Sequence, residues 1–119
     1  MKCLDTYALV EISRENSNFL NLLEGDFLVP NVVLAEFCSI IFREYNESTA
    51  NYWYGKFLPY TADVPIDVLV KAMIFKIQNK SKNFSFFDSV GYIFSITNNY
   101  KFVTGGEGFK GMKGVVFRK

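Results

Sequence analysis

The chain has 119 residues, half of them hydrophobic and 18% aromatic, with 13 Lys and Arg against 12 Asp and Glu; this length and composition suit one domain with a buried core, residues 1–119, and exclude both a two-domain protein and a disordered chain. It contains no histidine, which excludes a Ser-His-Asp triad, a Cys-His pair and any imidazole-bound zinc, so that catalysis must run on carboxylates, Lys, Tyr, Cys or an oxygen-bound metal. The net charge of +1 hides a split, because residues 1–70 carry 4 basic and 10 acidic side chains while residues 71–119 carry 9 basic and 2 acidic, −6 against +7, the pattern of an acidic site beside a basic surface.

The chain opens with a short apolar strand ending near Asp5, and Ala8 to Arg14 reads as helix. Ser17 caps a second short helix, Asn18–Glu24, stopped by Gly25. Phe27-Leu28-Val29 is a strand ended by Pro30. Asn31 then caps a long helix from about Val32 to Tyr45, in which Val33, Phe37, Ile40, Ile41 and Tyr45 recur at helical spacing. Ser48 caps a helix over Asn51–Phe57, ending near Pro59. Ala62–Ile66 is a third strand, and Asp67 caps the helix Val68–Lys80, with Leu69, Ala72, Met73 and Ile77 as its apolar face. Ser85 caps the helix Phe86–Asn98. Lys101–Thr104 is a strand, followed by a loop with Gly105, Gly106, Gly108 and Gly111, and Gly114–Phe117 is the last strand. Strands alternating with helices predict a three-layer α/β/α sandwich with a mostly parallel central sheet.

Asp5 interrupts the apolar run that a secretory signal would need, and no run reaches the ~18 apolar residues of a membrane helix, so a cytoplasmic protein with no membrane contact is expected. Cys3 and Cys38 have no CxxC spacing, and two small buried hydrophobes are the expectation.

In parallel α/β sheets the ligand crevice lies beyond the carboxyl ends of the strands. Three acids fall there in apolar surroundings: Asp5 after the first strand, Glu36 within Val32-Val33-Leu34-Ala35-Glu36-Phe37, about 40° around the helix from Ile40, and Asp88 after Phe84-Ser85-Phe86-Phe87. Each has a plain structural reading as well. Asp88 completes a capping box with Ser85, Glu36 is a boundary residue near Arg43, and Asp5 is a turn or cap residue. Together they form a set of carboxylates that raise one another's pKa and suit a hard cation such as Mg²⁺ or Mn²⁺.

Leu4-Asp5-Thr6, Leu34-Ala35-Glu36, Phe87-Asp88-Ser89 and Phe102-Val103-Thr104-Gly105 followed by Phe109 resemble, in order and spacing over the whole chain, a PIN-domain ribonuclease of the VapC-type toxin family. The resemblance implies a metal-dependent endoribonuclease of a toxin–antitoxin pair. Asp5, Glu36 and Asp88 would be its catalytic and metal-binding acids for Mg²⁺ or Mn²⁺, with Thr6 and Thr104 as supporting hydroxyls. It also implies an RNA substrate, an antitoxin partner and a homodimer. One position departs from the pattern: after Thr104-Gly105 the family usually carries a fourth acid, and here Gly106 stands there, with Glu107 next as a candidate substitute.

The basic residues, Arg43 and Lys110 foremost, are candidates for contacts to RNA phosphates, and otherwise form a solvated surface. Asn51-Tyr52-Trp53-Tyr54 offers rings that either stack on bases or pack between helices. The sequence supports two readings of different class, an active ribonuclease and a catalytically weak or inactive PIN-like module that binds RNA or protein; Gly106 is the support for the second. A receiver-like phosphoryl-transfer domain would need an acceptor Asp on a central strand, and Asp63 does not sit in such a context.

Overall fold

The apolar runs become five strands in the computed structural model, which describes residues Met1–Lys119: β1 Lys2–Leu4, β2 Phe27–Pro30, β3 Thr61–Ala62, β4 Lys101–Thr104 and β5 Val115–Phe117. The helices are α1 Thr6–Ser13, α2 Ser17–Leu20, α3 Asn31–Glu44, α4 Glu47–Phe57, α5 Ile66–Gln78 and α6 Phe86–Thr97. The sheet runs β3-β2-β1-β4-β5 and every pairing is parallel. On β1, Cys3 pairs with Leu28 on one side and Phe102 on the other, and Leu4 pairs with Val103. The direction of winding reverses between β1 and β4, so the crevice beyond their carboxyl ends is the place where such a sheet takes a ligand. The Asp5 amide donates to the Val103 carbonyl at 3.2 Å and ties these two strand ends together.

Side chains alternate across the sheet, and the core divides accordingly. Leu4, Val29 and Val103 face one layer, packing with Leu9, Phe37 and Phe57 from α1, α3 and α4. Cys3 faces the other, with Val68 of α5 and Phe94 of α6. Phe102 joins Phe84, Tyr92 and Phe109 on that second side. Each fully buried Phe, Leu or Val contributes about 1.5–3 kcal/mol. α6 lies close on β4 because Gly91 has no side chain: a Cβ there would stand 2.8 Å from Phe102 Cε1. The three-layer α/β/α architecture is as expected, and no helix is long and apolar enough to cross a membrane.

Several boundaries differ from the sequence expectation, mostly because an earlier residue takes the cap. α1 begins at Thr6, not Ala8, since Asp5 itself is the N-cap. Asn16 rather than Ser17 caps α2, and the expected helix over 18–24 divides into α2 and a 3₁₀ turn at Asn21–Leu23. Asn46 rather than Ser48 caps α4, accepting from the Thr49 amide at 2.8 Å. Pro30 is the N-cap of α3, while Asn31 Oδ1 accepts from the Val32 and Val64 amides at 2.9 and 3.3 Å. β3 is only two residues long instead of running to Ile66. Pro65 has no N–H for a strand ladder and becomes the N-cap of α5, with Asp67 in the first turn. The buried face of α5 is centred on Val68 and Ala72, whereas Met73 and Ile77 point outward.

Candidate active site at the strand ends

Asp5 occupies the innermost position. Two fully buried residues, Cys3 and Leu4, carry the chain through the sheet, and Asp5 follows at 3% exposure. Its Oδ1 accepts from the Ala8 amide at 2.9 Å, so the same carboxylate that lines the crevice also starts α1. The Thr104 hydroxyl makes a second hydrogen bond to it. Burial nevertheless dominates and pushes the carboxyl up to about 7, with the charges of Asp88 and Glu36 acting in the same direction against those two hydrogen bonds.

Glu36 lies on α3, half-buried, and accepts a short hydrogen bond at Oε1 from the Thr6 hydroxyl. Desolvation raises its pKa and Asp88 adds to the rise; the Thr6 hydroxyl and the Arg43 guanidinium oppose it. Asp88 stands in the first turn of α6. Its Oδ2 accepts from the Ser85 amide and the Ser85 Oγ accepts from the Asp88 amide, both at 3.0 Å, a complete capping box. Asp88 is therefore both a cap and one of the charges that Asp5 and Glu36 feel. A capping role and a place in the crevice are compatible for these acids, because capping fixes Asp5 and Asp88 beside the strand ends.

The loop after β4 closes one side. Thr104 is buried, and its Oγ1 also accepts from the Gly106 amide at 3.0 Å. Gly105 is required by packing, since a Cβ would stand 2.2 Å from the ring of Tyr7. Gly106 is not: its backbone is ordinary extended chain (φ −71°, ψ 121°), and the nearest atoms to a Cβ are Thr104 Oγ1 at 3.4 Å and Phe109 Cδ2 at 3.5 Å. Glu107, the candidate substitute acid, is exposed and paired with Lys119 at 2.5 Å. That pairing holds its carboxyl below the usual range, and Glu107 is not among the charges acting on Asp5. Lys110 lies over the Phe117 ring, 5.3 Å from its centre.

The fold thus brings together Asp5, Thr6, Glu36, Asp88 and Thr104, keeps Arg43 within reach of Glu36, and directs Glu107 to Lys119. Tyr7, which the sequence did not single out, packs against the loop after β4; its only signal is its place beside Asp5-Thr6, and its ring is what forces glycine at position 105. Of the aromatic run on α4 only Trp53 packs on the core, stacking on Phe57 and meeting Phe37 edge-on, while Tyr52 and Tyr54 remain exposed.

The chemistry of this donor set suits a hard divalent cation. It is all oxygen, it has excess negative charge, and a cation would relieve the cost of ionising a buried Asp5. The acids are in electrostatic range of one another but do not converge in threes on a single point.

No protein-family model and no curated protein sequence matches the chain. Solved structures do. A toxin–antitoxin complex from Klebsiella pneumoniae is 14% identical with a TM-score of 0.76, covering 98% of this chain and 96% of that one. Mycobacterium tuberculosis VapC20, a sarcin-ricin loop cleaving toxin, is 12% identical with a TM-score of 0.79 over 92% of each chain. VapBC2 from Rickettsia felis, bound to a DNA fragment of its promoter, is 17% identical with a TM-score of 0.76, covering 99% of this chain and 98% of that one. At these identities the likeness defines the fold: the chain has the PIN-domain fold, in the form seen in VapC-type toxins.

Proposed function

We propose that the protein is a metal-dependent endoribonuclease acting in the cytoplasm as the toxin of a toxin–antitoxin pair. The observation that carries this reading is Asp5, a fully buried carboxyl at the winding reversal of a PIN fold, held by backbone and hydroxyl donors in the fields of Glu36 and Asp88. RNA as substrate is supported by the activity of the similar VapC20, and an antitoxin partner by the complexes of the other two relatives. Asp5, Glu36 and Asp88 would hold Mg²⁺ or Mn²⁺, which when bound supplies a water acidic enough to attack near neutral pH and positive charge for the phosphodiester. Thr104 and Thr6 fix the orientations of Asp5 and Glu36. Arg43, whose charge acts on Glu36, and Lys110 are assigned to flanking phosphates of the RNA.

A second reading, a weak or inactive PIN-like module that binds RNA or protein, is favoured by one observation: position 106 has no carboxylate, and Glu107 is committed to Lys119. Titration of Mg²⁺ and Mn²⁺ into an RNA cleavage assay separates the two. Cleavage that needs the metal and vanishes in Asp5→Asn and Asp88→Asn supports the nuclease; cleavage unchanged in both variants overturns it. RNA binding that survives chelator, without cleavage at any metal concentration, supports the module. Cleavage gained on Gly106→Asp identifies a nuclease weakened at that one position.

A further inference from the structure

Residues 68–87 contain Lys71, Lys76, Lys80 and Lys82 and no Asp or Glu. The ion pairs of the chain join Arg14 to Glu11 and Glu44, and Lys119 to Glu107, so none of these four lysines has a counter-charge. A concave surface lined by cations of one sign gathers anions. Such a surface exists here. At the end of α5 a cleft of about 450 Å³ is lined by Met73, Lys76, Ile77, Lys80, Asn83 and Phe84, within the size range of sites for small ligands. Met73, Lys76, Ile77 and Lys80 follow i, i+3, i+4 and i+7 spacing and so share one side of the chain.

The segment that forms the cleft is fastened to the crevice. Lys82 donates to the Gly108 carbonyl at 3.0 Å, and the Phe84 ring stacks on Phe109 with centroids 4.0 Å apart. Both partners belong to the loop that starts at Thr104. On its other side Phe84 leads directly into the Ser85–Asp88 capping box. The cleft therefore continues the crevice across this loop. Its lining also indicates the shape of its occupant. Met73 and Ile77 make an apolar floor, the lysines add positive charge, and Asn83 offers an amide that both donates and accepts. Phe84 is no stacking platform, because Phe75 and Phe109 cover its two faces; a flat ring would lie on the floor instead. Anionic at one edge and flat and apolar at the other describes a nucleotide better than an acidic side chain.

From these features we propose that the cleft is a subsite for a nucleotide of single-stranded RNA flanking the phosphodiester in the crevice, with phosphates at Lys76 and Lys80 and a base over Met73 and Ile77. The RNA leaves the crevice over the loop after β4, on the α5 side. The inference rests on the nuclease reading for the identity of the ligand, but its residues are not the crevice acids, so binding and cleavage can fail separately. Fluorescence anisotropy with labelled single-stranded RNA, in chelator and over a salt series, tests it. Lys76→Gln with Lys80→Gln is expected to raise Kd about tenfold at physiological salt, and to flatten the plot of log K against log salt by about 0.7 for each lysine removed. Lys71→Gln removes a like charge from α5 outside the cleft and is expected to cost less than about threefold. Shortening the RNA on the flank that fills the cleft is expected to weaken wild-type binding and to leave the double variant unchanged. A double variant with the wild-type Kd and salt slope, a Lys71→Gln loss as large as that of the pair, or displacement of the RNA by poly-glutamate as readily as by unlabelled RNA overturns the proposal. In the cleavage assay the double variant is expected to raise KM and leave kcat unchanged. Absence of cleavage in every form, with the binding loss intact, would sink the nuclease reading and still support the subsite.

Discussion

Replacing Asp5 with Asn should stabilise the protein while disabling the crevice. In the fold, burial moves this carboxyl from 3.8 to about 7. Between those two values the folded chain holds a proton that the unfolded chain has already released. The contribution of this carboxyl to wild-type stability is therefore greatest below pH 4, falls as pH rises toward 7, and is flat above it. At about 1.4 kcal/mol per pH unit the loss reaches about 4 kcal/mol. Asn does not titrate. Its amide oxygen can still accept from the Ala8 amide, so the cap of α1 survives. The variant should match the wild type near pH 4 and exceed it by up to about 4 kcal/mol at pH 8, on the order of 15 °C in Tm for a chain of this size. Thermal melts from pH 4 to 8, in chelator so that no cation compensates the charge, measure the gap directly. A gap that does not widen with pH, or a variant less stable at pH 8, would refute the claim that this carboxyl is ionised at a cost. Mg²⁺ or Mn²⁺ added at pH 8 should raise the Tm of the wild type and leave that of Asp5→Asn unchanged.

Neighbouring glycines should differ in their tolerance of a side chain. Gly105→Ala drives a Cβ into the Tyr7 ring and should cost about 1–3 kcal/mol in a urea melt, whereas Gly106→Ala should stay within about 0.5 kcal/mol of the wild type. Ser85→Ala removes half of the capping box at the start of α6 and should lower stability by about 1 kcal/mol in the same measurement. Thr6→Val removes the hydroxyl that holds the Glu36 pKa down; NMR titration of the Glu36 side chain should move to higher pH, and a downward move would contradict the hydrogen bond.

Much of this was legible in the sequence because the signals were local. Ser85 and Asp88, three residues apart, define a capping box on their own, and Leu4-Asp5 or Phe102-Val103-Thr104 announce a buried strand end by composition. The three acids could be grouped once the strand ends of a parallel sheet were placed on one side. What sequence did not yield depended on partners distant along the chain. The direction of Glu107 is decided by Lys119, which arrives only after β5 has run parallel to β4. The need for glycine at 105 is decided by Tyr7, nearly the whole chain away. The buried side of α5 could not be chosen from its pattern, because its apolar residues spread well beyond one face; docking on α6 makes the choice. Cap positions moved for a related reason: Asn16 and Asn46 precede Ser residues that look equally suitable, and only chain direction decides which side chain meets the free amides.

The ordinary contact distances that a Cβ would meet and the unstrained backbone at Gly106 give this position an unusual freedom. Glycine and aspartate codons differ by one base, so a single point mutation adds or removes a carboxylate beside Thr104 without asking the loop to refold. For most side chains bordering a crevice, a change that alters chemistry also disturbs packing, and the unfolded fraction obscures the effect. At position 106 the two are separable, and the charge of the crevice can change while the folded fraction stays the same.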